Sequence, residues 1–154
     1  MSAEARLAEL GITVPEVVPP VAAYQPTARS GNLVFTAGQL PARDGEMIAV
    51  GKLGGEVSEE QGYECARQCA LNALAAVKAE IGSLDDVKRV VKVVVFVAST
   101  PDFTSQPKVA NGASELLGEV FGDAGVHARS AVGVPVLPLD SPVEVELVVR
   151  AALA

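Results

Sequence analysis

Apolar positions recur along this chain with two different periods, and the changes between them mark out its elements. Residues 2–11 carry Ala and Leu at helical spacing among Glu and Arg, and Gly11 ends that helix. Residues 13–30 follow no period and hold Pro15, Pro19, Pro20 and Pro26. Val17, Val18, Val21 and Tyr24 make this segment apolar enough to pack, so it is not a free linker. Gly31-Asn32 signals a turn into Leu33–Gln39, whose β-branched and aromatic residues predict a strand. Asp44-Gly45 is a hairpin turn, and Met47-Ile48-Ala49-Val50 reads as the return strand. Ser58 and Gln61, three apart, form a capping box. The helix they open runs to about Ile81, with Ala66, Ala70, Ala73 and Val77 on one face and Gly82 as its stop.

Val87–Val97 is almost unbroken valine, interrupted by Lys88-Arg89 and Lys92, and predicts a long central strand whose second half is buried on both faces. A second helix is predicted from Phe103 or Pro107 to Phe121, stopped by Gly122. Two more strands follow, His127–Pro138 and Val143–Val149, joined by a Pro-rich turn. The order β-β-α-β-α-β-β predicts an α+β two-layer sandwich, a mixed sheet with two helices on one face. The other sheet face would be bare and apolar, a physical reason for subunits to associate.

Composition narrows the possibilities. A chain of 154 residues is one domain, here residues 1–154, large enough to bury a core without staples. Hydrophobic residues make up 49% but aromatics only 4%, so the core must be Val, Leu and Ala. A net charge of −7, with 12 scattered Lys and Arg, argues against a nucleic-acid partner, because phosphate binding needs clustered cations. No signal-peptide pattern and no apolar run of about 20 residues is present, so the expectation is a cytoplasmic protein with no membrane partner. Cys65 and Cys69 lie four apart on one helix face, poor geometry for a disulfide, and read as two small buried thiols. His127 is the sole histidine, too isolated for a metal set, and reads as structural before it reads as a general base. GxGxxG, Walker, HExxH and GxSxG motifs are all missing.

The chemistry on offer is Arg129, opening one C-terminal strand, and Glu144 and Glu146 inside the next. An arginine against an apolar sheet needs an anionic partner. If that partner is a ligand, the strands hold an anion pocket with acid/base capacity nearby; if it is Glu144 or Glu146, they hold an internal ion pair.

Phe35-Thr36-Ala37-Gly38-Gln39, Asn111, Ala128-Arg129-Ser130-Ala131-Val132, Leu137-Pro138 and Val143-Glu144-Val145-Glu146 occur in an order and spacing that resembles the RidA family (YjgF/YER057c/UK114). The resemblance covers nearly the whole chain and looks like a divergent branch, of the kind often labelled endoribonuclease L-PSP. It implies a chorismate-mutase-like α+β sandwich assembled as a homotrimer, with sites between subunits. Its implied activity is hydrolysis of 2-imino or 2-enamino acids to 2-oxo acids and ammonia, with no metal or organic cofactor. By position, Arg129 matches the arginine that grips the substrate carboxylate and Glu144 the glutamate that handles water. Tyr24, Gly38 and Asn111 match further substrate-binding positions. The family's Ser-Gly-Gln is Ala37-Gly38-Gln39 here, and its cysteine two residues after the arginine is Ala131. Both changes make the pocket more apolar, favouring apolar substrate side chains. They also keep open the alternative of a non-catalytic trimer that binds small carboxylates. Ribonuclease activity is not expected, because the chain is acidic and has no histidine pair.

Overall fold

The computed structural model describes residues 1–20 and 22–153; Val21 lies outside the described residues. Helix α1 (Ala3–Glu9) starts at Ser2, whose hydroxyl accepts from the Ala5 amide at 3.2 Å. Strands β1 (Thr27–Ser30) and β2 (Leu33–Thr36) form a hairpin around Gly31. Strands β3 (Ala42–Arg43) and β4 (Glu46–Met47) form a second, tiny one. Its turn residues, Asp44 and Gly45, both have positive φ, the geometry a two-residue hairpin requires. Helix α2 (Glu59–Ile81) is followed by β5 (Val87–Ala98), α3 (Gln106–Phe121), β6 (Ala128–Val134) and β7 (Val143–Ala151).

The capping box at α2 is complete: Ser58 Oγ accepts from the Gln61 amide at 3.1 Å, and Gln61 Oε1 accepts from the Ser58 amide at 2.9 Å. Gly82 closes α2 at φ 91°, a backbone that side chains rarely adopt.

One sheet of order β1-β2-β7-β5-β6 organises the molecule. All its neighbouring pairs are antiparallel except β5 and β6, which are parallel and joined through α3. Helices α2 and α3 cover one face. The core lies between the layers, with Val90, Val93, Val95, Val97, Val145 and Leu147 packed beneath Ala66, Ala70, Ala73, Leu74 and Leu117. The two-layer α+β arrangement is therefore as expected.

Several local readings change. The return strand read over Met47–Val50 is confined to Glu46–Met47. Residues 27–30 are not irregular: they pair with β2 even though Pro26 precedes them and their side chains are mostly polar. The strand predicted over Leu33–Gln39 ends at Thr36, because the Ala37 amide turns to the Pro26 carbonyl at 2.8 Å. Gln39 then rejoins the sheet by exchanging two backbone hydrogen bonds with Val145. Strand β5 is not buried on both faces over its second half. Val93, Val95 and Val97 lie under the helices, while Val94 and Phe96 are only half-buried on the far side.

That far face is uncovered. Phe35 (42% exposed), Val91 and Val132 lie open on it, among Lys92, Glu144 and Glu146. It is apolar in its aliphatic and aromatic positions and carries charge between them. Cys65 and Cys69 are buried free thiols on α2. Burial pushes Cys65 up to about 11 and Cys69 well above the ordinary thiol value, so neither is poised as a nucleophile.

Helices α2 and α3 meet backbone to backbone. A Cβ at Gly112 would fall 2.9 Å from the Tyr63 carbonyl carbon and 3.2 Å from the Arg67 amide nitrogen. Gly112→Ala is therefore expected to cost about 1–3 kcal/mol by overpacking. That corresponds to a fall of roughly 2–10 °C in the thermal midpoint, measured by calorimetry. An unchanged midpoint would show that the helices separate freely.

Candidate functional site

Glu144 lies on β7, opposite Phe96, and faces the uncovered side of the sheet. Its carboxyl group rests over Gly38, where the chain has just left β2. A Cβ at Gly38 would come 2.7 Å from the Glu144 Cδ, so this approach requires glycine. Glu144 is half-buried. Burial raises its carboxyl above the ordinary glutamate value, and the charge of Glu146, two residues along the same face, adds to the rise. A carboxyl group lifted in this way holds a proton more readily than an ordinary glutamate does.

Gly38 and Tyr24 both line a cleft of 730 Å³ between the Pro-rich segment 15–20, the β3–β4 hairpin and the turn Pro138–Asp140. Tyr24 is exposed at this cleft.

Arg129 points the other way. It stands in register with Val93, on the helix side of edge strand β6. Its Nη1 donates to Asn111 Oδ1 at 2.9 Å and to Ser114 Oγ at 3.1 Å, and its Nη2 donates to the Pro107 carbonyl at 3.4 Å. All three acceptors are uncharged and belong to α3. His127 completes the group. Its Nδ1 lies 2.6 Å from the Gly125 carbonyl, which can only accept, so that nitrogen carries a proton. In the neutral ring, Nε2 then accepts the Ser114 hydroxyl at 2.9 Å.

The internal ion pair is thereby set aside. The ion pairs among the described residues are Arg67–Glu119 and Lys78–Glu4, and neither involves Arg129. Of the five guanidinium donors, Nε–H and one Nη2–H have no partner among the described residues. Together Nε and Nη2 form an edge that can grip a carboxylate with two parallel bonds.

The candidate residues thus fall into two groups. Glu144 lies against Gly38, which shares a cleft with Tyr24; Asn111 and Arg129 are paired elsewhere, at α3. Register puts Arg129 level with Leu147 across β5, three residues from Glu144 and two strands away. Strand geometry makes that about 14 Å between Cα atoms, with the side chains on opposite faces. One chain does not bring the two groups together. Ala131 shares the helix-side face with Arg129 and packs against the core.

Sequence reasoning missed Ser114 and the tie between His127 and Arg129. The three-residue spacing of Asn111 and Ser114, one helical turn, was the available signal. Among the described residues, no group of three His, Cys, Asp or Glu could hold a metal ion. Among the described residues, no helix is long and apolar enough to cross a membrane.

Ser114→Ala is expected to remove one contact that fixes Arg129 and to weaken binding of a small carboxylate such as pyruvate about fivefold. Calorimetric titration of both proteins reads this directly. Equal affinities would mean that Ser114 does not position the guanidinium.

Residues 4–151 match the family described as "YjgF/chorismate_mutase-like, putative endoribonuclease". Protein TCP17 of Trypanosoma cruzi is 45% identical over 147 residues, covering 95% of this chain and 92% of the relative. A Dermatophagoides farinae protein named 2-iminobutanoate/2-iminopropanoate deaminase is 31% identical over 140 residues, 90% and 93% of the two chains. The crystal structure of Atu1372 from Agrobacterium tumefaciens, a protein described as of unknown function, superposes with a TM-score of 0.91 at 42% identity, covering 97% of this chain and 92% of that one. The match over almost the full length, together with the sandwich fold, places this chain in the YjgF/chorismate-mutase-like family, among the relatives of RidA.

Proposed function

We propose that this protein is a deaminase that hydrolyses 2-imino or 2-enamino acids to 2-oxo acids and ammonia, at a site shared between neighbouring copies of a homotrimer. The observation that carries this reading is the state of Arg129. It is a charged fork held by three neutral acceptors, with its Nε and one Nη2 hydrogen unpaired among the described residues. A ligand carboxylate would occupy that edge. Glu144 would come from the adjacent copy, since its own chain places it on the opposite face.

The chemistry asks little of the protein. A protonated imine is already electrophilic at C2. Glu144 takes a proton from water as the oxygen adds to C2 and the C=N π pair moves to nitrogen. That proton is returned to the amine nitrogen. Glu144, ionised again, takes the hydroxyl proton as the C2–O bond becomes the carbonyl and the C–N bond breaks, and it passes that proton to the departing ammonia, which leaves as ammonium. Arg129 fixes the carboxylate so that C2 stays in reach of the water. Tyr24, Gly38 and Asn111 act in binding: Tyr24 at the mouth, Gly38 by permitting close approach, Asn111 by holding Arg129.

The alternative, a trimer that binds carboxylates without turnover, draws on Ala37 and Ala131, which lack the family's hydroxyl and thiol. RNA is not proposed as a substrate, because a chain of net charge −7 with dispersed cations would repel the phosphate backbone.

A shared site has a distinctive consequence. Arg129→Ala and Glu144→Gln trimers are each expected to be inactive. After unfolding together and refolding, mixed trimers regain about a quarter of wild-type turnover by random assortment, because some interfaces pair an intact Arg129 with an intact Glu144. Absence of any recovery, with both variants trimeric and folded, would place the two residues in separate sites or in none.

The pH profile tests Glu144. As a base it works ionised, and its carboxyl titrates above the ordinary glutamate value. Turnover should therefore fall on the acid side at a higher pH than an ordinary glutamate would give. Glu146→Gln removes the neighbouring charge, eases ionisation of Glu144 and moves that limb to lower pH. An unmoved limb would assign it to another group.

A further inference from the structure

Glu144 does not itself line the 730 Å³ cleft; the two meet at Gly38, which lines the cleft and lies against the Glu144 carboxyl group. The cleft's volume suits a ligand much larger than a three- or four-carbon acid. Val17, Pro19, Pro26, Leu40, Met47 and Leu139 are among its apolar walls. The charged residues that reach it, Glu16, Arg43 and Asp44, are exposed at the rim.

The polar floor is already committed. Asn72 Nδ2 donates to the carbonyls of Leu40 and Ala42 at 3.0 and 2.9 Å, and its Oδ1 accepts from Gln68 Nε2 at 3.0 Å. Gln68 Oε1 in turn accepts from Arg43 Nε at 3.1 Å. Among the described residues no fully buried side-chain polar atom lacks a partner.

Leu139 is a second, independent sign. It is 69% exposed and sits at φ 59°, ψ 26°, followed by Asp140 at φ 57°. Two successive side-chain-bearing residues in the left-handed region are strained. The Asp140 carbonyl is tied to the Gly51 amide at 2.8 Å, which holds the turn in place. The strain keeps an apolar side chain at the cleft wall, in the open, where burial does not reward it.

We propose that this cleft is the side-chain subsite of the Glu144 site, and that the preferred substrates are 2-imino or 2-enamino acids with a large branched or aromatic apolar side chain. The proposal rests on the deaminase reading. Its apolar character comes from the Pro-rich segment, the hairpin and Leu139, since neither Ala37 nor Ala131 lines the cleft.

The test uses an amino-acid oxidase to generate the 2-imino acids of alanine, leucine and phenylalanine, with the matching 2-oxo acids titrated by calorimetry. Each buried methylene is worth about fourfold in affinity, so leucine- and phenylalanine-derived imines should exceed the alanine-derived one at least tenfold in kcat/KM. Leu139→Asp and Leu139→Gly should both narrow that ratio; the glycine variant relieves the strain and so guards against misfolding. Hydrolysis that favours the small imine, or a ratio that neither variant moves, overturns the subsite and leaves the deaminase reading standing. Tight binding of the large oxo acids without hydrolysis of any imine supports the subsite and overturns the deaminase reading. Neither hydrolysis nor preferential binding overturns both.

Discussion

The pleat of the sheet governs everything this molecule can do chemically. Successive residues of a strand face opposite sides, so the registers of β5 with β6 and β7 fix where each functional group points. Arg129 aligns with Val93 and is drawn under the helix layer; Glu144 aligns with Phe96 and is left on the open side. A slip of one residue in either pairing would exchange these sides, but it would also drive Val93, Val95 or Leu147 out of the core. The hydrophobic layer and the separation of the two charged groups are therefore one constraint. Any site that uses both must recruit a second surface.

Each group is prepared by its own surroundings. Arg129 is cradled by neutral acceptors from α3, and His127 orients the Ser114 hydroxyl from behind. The cradle fixes the direction of the fork while leaving its charge without an ion-pair partner among the described residues. Glu144 is prepared by the opposite means. Partial burial and the nearby Glu146 disfavour its ionised form. Covering the open face with another subunit would strengthen both effects, since desolvation acts first on charged groups.

The helix layer enables the cradle by being thin. Gly62 and Gly112 let α2 and α3 touch, with Leu53 and Val109 filled in against Gly62. On α3, Asn111 and Ser114 lie within hydrogen-bond reach of an arginine on β6. The cleft beside Gly38, floored by Gln68 and Asn72 of α2, owes its walls to irregular chain. Its walls are a proline-rich segment, a two-residue hairpin and a strained turn, held by scattered hydrogen bonds such as Gly51–Asp140 and Ala37–Pro26. Backbone that cannot pair in a ladder is free to shape a pocket.

Local sequence determined the elements whose signals are themselves local. The Ser58–Gln61 box and Gly82 mark both ends of α2 because capping involves only neighbouring residues. Asp44-Gly45 reads as a turn because so few residues accept two positive φ angles. The valine run reads as a strand, though its residues alone could not tell one covered face from two: Val94 and Phe96 are as apolar as Val93 and Val95. β1 was hidden because its strand character comes from pairing with β2, not from its own residues. The ordered pattern around Arg129 and Glu144 disclosed the family, since motif order and spacing survive in one dimension. Only the tertiary structure decided that the two residues face apart and that Ser114 joins His127 to Arg129. It alone revealed the cleft beside Gly38, because each of these depends on register and on contacts between segments distant in the chain.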